Sequence, residues 1–438
     1  MRRWLLAGCI CLAWIADAAA AMPVRLVIAT VNNGQMIQLQ EFGAEFEKAH
    51  PDIRLRWVTL DEQALRRYVG TDLATRGGQF DVITIGLYEA ALWPRRGWLK
   101  PIQPGPDYAV GDLLPNIRAG LSHRGELYAL PFYGESSMLM YRKDLMRKAG
   151  LAMPDAPTWR DIAGFAARLN DPARGVHGIC LRGKPGWGIN MTLVTTMVNA
   201  FGGQWFDMDW RPRLDSAAWR EAVGLYVSLL RNYGPPDAAA KGYNENLKLF
   251  QEGKCALWVD ATVAAGYVAN PALSKSAAEV GFAPAPVART SKGSSWLWSW
   301  AFAIPASAEG AHAEAARRFV LWATSRDYVA LVGARKGWDM VPAGTRTSTY
   351  GDVRYRRAAP WGKHEFKAIA NADPDDATLP DSPYTGVQFA AIPAFRAIGD
   401  EVGELVAQAL AGHLSVAEAL AQAQRSARRQ LVIDNETR

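Results

Sequence analysis

Val24-Arg25-Leu26-Val27-Ile28-Ala29 opens a stretch that runs to Ile85 and alternates strand with helix. The run is apolar and β-branched and ends in the polar segment Thr30-Val31-Asn32-Asn33-Gly34-Gln35, so it reads as a first strand. Met36, Leu39, Phe42 and Phe46 then recur at helical spacing, which predicts one helix stopping before His50-Pro51. Ile53-Arg54-Leu55-Arg56-Trp57-Val58 alternates with period two as a second strand. Leu65 to Thr75 reads as a helix closed by Gly77-Gly78, and Phe80-Asp81-Val82-Ile83-Thr84-Ile85 as a third strand. Strands separated by helices of this length imply βαβ units, a parallel sheet and an α/β fold. In such sheets ligands sit beyond the carboxyl ends of the strands. The segments 30–35 and Gly86-Leu87-Tyr88-Glu89, both read as loops, lie at that edge. Neither is built for phosphate, because the chain has no G-x-G-x-x-G and no G-K-[ST] there.

Further along, Leu130–Glu135 leads into Ser136–Leu145, a strand followed by a short helix. Helices are predicted over 160–169, 244–251, 313–324, 402–410 and 416–431, and a strand from Gly253 to Asp260. Gly183-Lys184-Pro185-Gly186-Trp187-Gly188 reads as an exposed loop with an aromatic tip. No internal repeat is present. The run Trp296-Leu297-Trp298-Ser299-Trp300 places three indoles on one side of an extended backbone. An indole offers a flat apolar face and one N–H donor, which suits sugars and sugar alcohols with their C–H patches and hydroxyl rims. The same pattern also fits a core strand, where large aromatics usually go.

At 438 residues, 49% hydrophobic and 21% charged, the chain has ordinary globular composition and more length than one core usually supports, so two domains are expected. Arg2 and Arg3 precede an apolar stretch from Trp4 to Ile15 and then small residues to Ala21, the pattern of a secretory signal peptide over 1–21. Leu6-Ala7-Gly8-Cys9 resembles a lipoprotein box, but processing there would leave almost no apolar segment before the cysteine. An exported, soluble mature chain is expected. Losing Arg2, Arg3 and Asp17 takes the formal charge from +6 to +5, without any block of lysines or arginines, which argues against nucleic-acid partners. Cys9 and Cys11 leave with the signal peptide. Cys180 and Cys255 remain in an oxidising compartment, where a disulfide is the preferred reading and two buried thiols the alternative. Six histidines without ligand spacing give no reason to expect a metal or cofactor.

Several of these segments together resemble a known family, the extracellular solute-binding proteins of carbohydrate ABC importers. The similarity lies in the maltose-receptor-like branch, and within it toward receptors for the polyols sorbitol and mannitol. It rests on Thr30–Gly34, Gly77–Val82, Gly97-Trp98-Leu99, Pro131–Ser137, Tyr141-Arg142-Lys143-Asp144-Leu145, Phe250–Trp258 and Val387-Gln388-Phe389. The resemblance implies a two-lobed periplasmic-binding-protein fold whose ligand lies in a cleft closed by hinge motion. Lobe one would hold 23–132 and 303–345, and lobe two 136–299 and 360–438. Hinge crossings would fall at 131–137, 298–304 and 328–358. It also implies a periplasmic, non-enzymatic, monomeric receptor that hands its ligand to membrane permease subunits.

A neutral polyol needs flat apolar faces and side chains that both donate and accept hydrogen bonds. On that basis Asn32 and Asn33 are candidates at the first strand end, although Asn-Asn-Gly is also ordinary turn chemistry. Tyr88 is a candidate at the third strand end. Tyr133 and Glu135 qualify by their place at a crossing, and Trp187 as a lid. Asp260 is either a ligand carboxylate or a helix N-cap. Trp298 and Trp300 become platforms because a crossing strand must pass the cleft mouth. Glu89, Trp296, Arg346 and Gln388 are lesser candidates, with a surface ion pair preferred for Arg346. A receptor for another mono- or oligosaccharide is the first alternative, and a secreted glycoside hydrolase a lesser one, with Glu135 and Asp260 as paired carboxylates roughly 5 to 9 Å apart. A lectin-like module is a third, disfavoured by the α/β pattern.

Overall fold

The computed structural model describes residues 22–436, so the expected signal peptide lies outside the described residues. Eleven strands are present among them: β1 (Val24–Val31), β2 (Ile53–Leu60), β3 (Val82–Ile85), β4 (Ser122–His123), β5 (Glu126–Leu127), β6 (Ala129–Glu135), β7 (Ser137–Arg142), β8 (His177–Cys180), β9 (Cys255–Ala261), β10 (Val280–Pro284) and β11 (Trp298–Ala303). Five form one sheet in the order β2-β1-β3-β11-β6, and four form a second in the order β10-β7-β9-β8. β1 pairs in parallel with both β2 and β3, as the alternating stretch implies, while β11 runs antiparallel between β3 and β6. The first sheet is therefore mixed rather than wholly parallel. β6 is its edge strand, where Pro131 is tolerated beside a register shift opposite Trp300 and Ala301.

Ser136 alone separates β6 of the first sheet from β7 of the second, so the chain crosses between lobes in a single residue. The return from β10 to β11 runs through 285–297. Residues 298–303, expected within a hinge, are instead strand of the first sheet throughout. In the third connection Gly344 lies against Gly134, and a Cβ on either would stand 2.1 or 2.0 Å from the other's carbonyl oxygen. Gly344 also needs the left-handed φ of +81° that a side chain would strain. Gly134 N donates to Ala343 O at 2.9 Å, fastening the first and third connections together.

The helix predicted over 36–46 is two helices, Gly34–Glu41 and Gly43–Ala49, broken at Phe42. The apolar face survives the break, because Met36, Leu39 and Phe46 remain fully buried. Residues 87–92 form a short helix where a loop was expected, since the Glu89 carboxylate reaches back to accept from Gly86 N at 3.0 Å and closes its first turn. Phe46, Phe302, Phe319 and Trp322 pack edge-on or tilted in the first lobe. Trp205, Trp219 and Trp258 are buried in the second. Cys180 of β8 and Cys255 of β9 are joined by a disulfide, with Cα atoms 5.9 Å apart. No helix among the described residues is long and apolar enough to cross a membrane.

Candidate functional site

The carboxyl ends of β1, β3 and β6 and the amino end of β11 form one edge of the first sheet. Facing it, across the Ser136 crossing, are the carboxyl ends of β8 and β9. Between them lies a cavity of about 240 Å³. Small-molecule sites span roughly 300–1,000 Å³, so this one is sized for a small ligand rather than an oligosaccharide.

One wall is aromatic. Trp296, Trp298 and Trp300 all line the cavity, although they are only 1%, 5% and 5% exposed. Core and site were posed as alternatives for this run, and the geometry makes them compatible, because the same nearly buried indoles also line the cavity. Trp298 and Trp300 meet edge to face with centroids 5.5 Å apart, and Trp187 approaches Trp298 at 5.9 Å. The Trp298 ring lies against Gly86, where a Cβ would stand 1.8 Å from it. Gln388 braces the run from behind: its amide donates to Leu297 O at 2.9 Å and accepts from Leu297 N at 3.3 Å.

The other walls are polar. Asn33 accepts from Met36 N at 3.0 Å as a helix N-cap and donates to the Tyr133 hydroxyl at 2.9 Å. Both readings of this residue therefore hold at once, cap and cavity lining. Asn244 from the second lobe donates to Asn32 O at 3.1 Å. Arg182, just after β8, makes a two-pronged pair with Asp260, Nε to Oδ1 at 3.0 Å and Nη2 to Oδ1 at 2.6 Å. Trp258 Nε1 and Ala261 N also donate to that carboxylate, at 3.0 and 2.7 Å. Burial pushes the Glu135 carboxyl up to about 8, against the opposing pull of the nearby Arg182 guanidinium. Burial likewise raises the Tyr133 and Tyr243 hydroxyls well above their ordinary value. The cavity thus offers amide, hydroxyl and carboxyl groups beside the charged Glu62 and Lys184, with its arginines already paired. Trp296 Nε1 and Tyr267 Oη, on two residues that line the cavity, have no protein partner.

Asn32, Asn33, Tyr133, Glu135, Trp187, Trp296, Trp298, Trp300 and Gln388 are brought together around this cavity. Four candidates are placed elsewhere. Tyr88 packs behind the wall against Trp187 and donates to Ile392 O at 3.1 Å, so its hydroxyl is spent on backbone. Glu89 is occupied by the Arg66 guanidinium and by Gly86 N. Asp260 is neither N-cap nor cavity carboxylate, because Arg182, Trp258 and Ala261 use both its oxygens. Arg346 does make an ion pair, with Asp112 at 3.4 Å, but at 1% exposed it is buried and not at the surface, and it also donates to Tyr108 O at 3.1 Å and Thr324 O at 3.1 Å. Trp187 is buried by Phe395, Phe389 and Arg66 rather than exposed at a loop tip.

Sequence reasoning passed over Glu62, Arg66, Arg182, Lys184, Tyr243 and Tyr267, which also line the cavity. Arg182 was within reach of the strand-end rule, since it follows β8 by two residues. Arg66 and Glu62 stand four residues apart on one helix, a spacing more common for surface pairs than for a binding site. Among the described residues no group of three His, Cys, Asp or Glu side chains is placed to hold a metal ion.

Two lobes built on separate sheets, with a polar-aromatic cavity between their strand ends, define a periplasmic-binding-protein fold. The chain belongs to the family of bacterial extracellular solute-binding proteins, whose profile matches residues 33–330. It is 51% identical to the mannitol-binding protein of Pseudomonas aeruginosa over 428 residues, covering 98% of this chain and 97% of that one. A crystal structure of an ABC transporter solute-binding protein from Agrobacterium vitis S4 with bound D-mannitol is 50% identical. It has a TM-score of 0.91 and covers 93% of this chain and 98% of that one. A maltose-bound protein of T. maritima shares the fold at 20% identity, with a TM-score of 0.79 over 92% of this chain and 99% of that one.

Proposed function

We propose that this protein is the periplasmic receptor of an ABC importer for a hexitol of the mannitol or sorbitol type. The observation that supports this reading best is the cavity itself: small, walled by three indoles and faced by amide, hydroxyl and carboxyl side chains. A linear polyol lays its C–H face on the indoles and divides its hydroxyls among Asn33, Tyr133, Glu135 and the free indole and phenol donors. The chain's likeness over nearly its whole length to a mannitol-binding protein, and to a mannitol-bound one, supports the same ligand class. Export through a signal peptide over 1–21, action as a monomer and delivery to membrane permease subunits complete the proposal.

The hydrolase reading loses its second carboxylate, because Asp260 is fully engaged by Arg182 and absent from the cavity lining. Calorimetry of the mature protein with D-mannitol, sorbitol, xylitol, glucose and maltose tests the proposal. Saturable one-to-one binding of a hexitol, at least tenfold tighter than maltose and with no product formed, is expected. Tighter binding of maltose, or consumption of any of these ligands, overturns it.

A further inference from the structure

The cavity ends at Arg66 and Trp187, and the space does not end there. Beyond them a second hollow of about 310 Å³ opens at the lobe junction, lined by Gln63, Arg67, Pro185, Arg396, Asp400 and Glu404. Arg66 and Trp187 line both spaces, as do Glu62, Gly188 and Ile189. The two hollows therefore share one wall, and Arg66 and Trp187 form part of the partition between them.

The partition is firmly made. The Arg66 guanidinium carbon sits 4.2 Å from the centroid of the Trp187 ring, close enough for a cation–π contact. Glu62 holds it at 3.0 Å from one side and Glu89 from the other. Trp187 is fixed through its backbone N–H, which donates to Asp400 Oδ1 at 3.0 Å.

It is also made from both lobes. Arg66 belongs to the helix Glu62–Thr75, which packs on the first sheet, and Trp187 to the loop after β8 of the second. Gln63 Nε2 donates across the junction to Pro185 O at 3.1 Å. Gly188 passes Glu62 so closely that a Cβ would stand 1.9 Å from its Oε1. These contacts join the two lobes directly.

We propose that Arg66 and Trp187 are the length gauge of the receptor, a partition completed on closure that accepts a free open-chain polyol and rejects one extended by a further sugar unit. The inference rests on the polyol reading above. A terminal glycosyl group would have to occupy the second hollow, and so would displace the guanidinium or hold the lobes apart.

The test is calorimetry with D-mannitol and with 1-O-glucosyl-D-mannitol, which extends the same polyol at its end. The wild-type protein is expected to prefer mannitol at least 100-fold. The variant R66A/E89Q removes the guanidinium and neutralises the carboxylate it leaves behind, and should narrow that preference tenfold or more through gained affinity for the glycosylated ligand. Wild-type affinities within tenfold of each other overturn the gauge, as does a folded variant that keeps mannitol binding without that gain. Should the variant not fold, xylitol, D-mannitol, a heptitol and the glucosyl-mannitol are titrated into wild type. A gradual trend instead of a sharp loss beyond six carbons then overturns the gauge. Binding of none of these polyols overturns the receptor reading itself, an outcome distinct from a hexitol that binds without length discrimination.

Discussion

Glu135 stands where β6 ends and the chain crosses between lobes, and its carboxyl is raised from 4.5 to about 8 by burial. Below about pH 4.5 the folded and unfolded chains both hold this proton and the group contributes nothing to pH dependence. Between about 4.5 and 8 the unfolded chain releases the proton while the folded one keeps it, so stability falls as pH rises and levels off above 8. Each unit of difference corresponds to about 1.4 kcal/mol. Glu135→Gln removes this slope, so in urea unfolding the variant should gain on wild type steadily from pH 5 to pH 8. A constant difference across that range would mean the carboxyl is not held neutral. Trp298→Ala and Trp300→Ala should each weaken hexitol binding about tenfold, the loss expected when an anchoring aromatic worth over 1 kcal/mol is removed. Gly86→Ala makes a sharper test of the same wall. Gly86 has an ordinary φ of −119°, so the new methyl adds no backbone strain and acts only by pushing the Trp298 ring. Reduced affinity in a variant that melts near wild type is the expected result.

At the scale of elements, β8 and β9 are fastened twice, by Cys180–Cys255 and by the Arg182–Asp260 pair at their carboxyl ends. The disulfide spans 75 residues, and in the chain-entropy description a loop of that size is worth about 4.5 kcal/mol. C180A/C255A should therefore melt well below wild type while still binding hexitol at 25 °C, because the ion pair keeps the strand ends in place. Arg182→Met leaves Asp260 buried and uncompensated and should cost about 3–5 kcal/mol, read as a loss in urea unfolding. These elements also show where sequence reading reaches and where it stops. The strands at 24–31, 53–60 and 82–85 were legible because period and composition are local properties. So was the alignment of the three indoles. The break at Phe42 and the short helix at 87–92 were not, since each depends on a cap that competes with the simple pattern. Asp260 was misread because its partner, Arg182, lies 78 residues away. Tyr88 and Arg346 were misplaced for a related reason: their hydroxyl and guanidinium find backbone carbonyls that no local spacing announces.

At the scale of the whole molecule, several hydrogen bonds bridge the lobes directly, among them Gln63 to Pro185, Asn244 to Asn32, Tyr88 to Ile392 and Arg396 to Arg66. Side-chain bulk is absent where the connections touch at Gly134 and Gly344. A ligand that binds only between the lobes stabilises the closed form by mass action, about 2.7 kcal/mol at 100 times its Kd. Saturating D-mannitol should therefore raise the melting temperature and shrink the radius of gyration in solution scattering. A rise in melting temperature with unchanged dimensions would mean the lobes do not move. Four of the chain's 17 tryptophans line this single cavity. Trp205, Trp219 and Trp258, by contrast, are sealed in the second lobe. When a polyol replaces water against the four indoles, their emission should change while the sealed ones stay constant. The molecule is in that sense an unlabelled optical sensor for its own cargo, with its fluorophores at the one place where occupancy alters their surroundings.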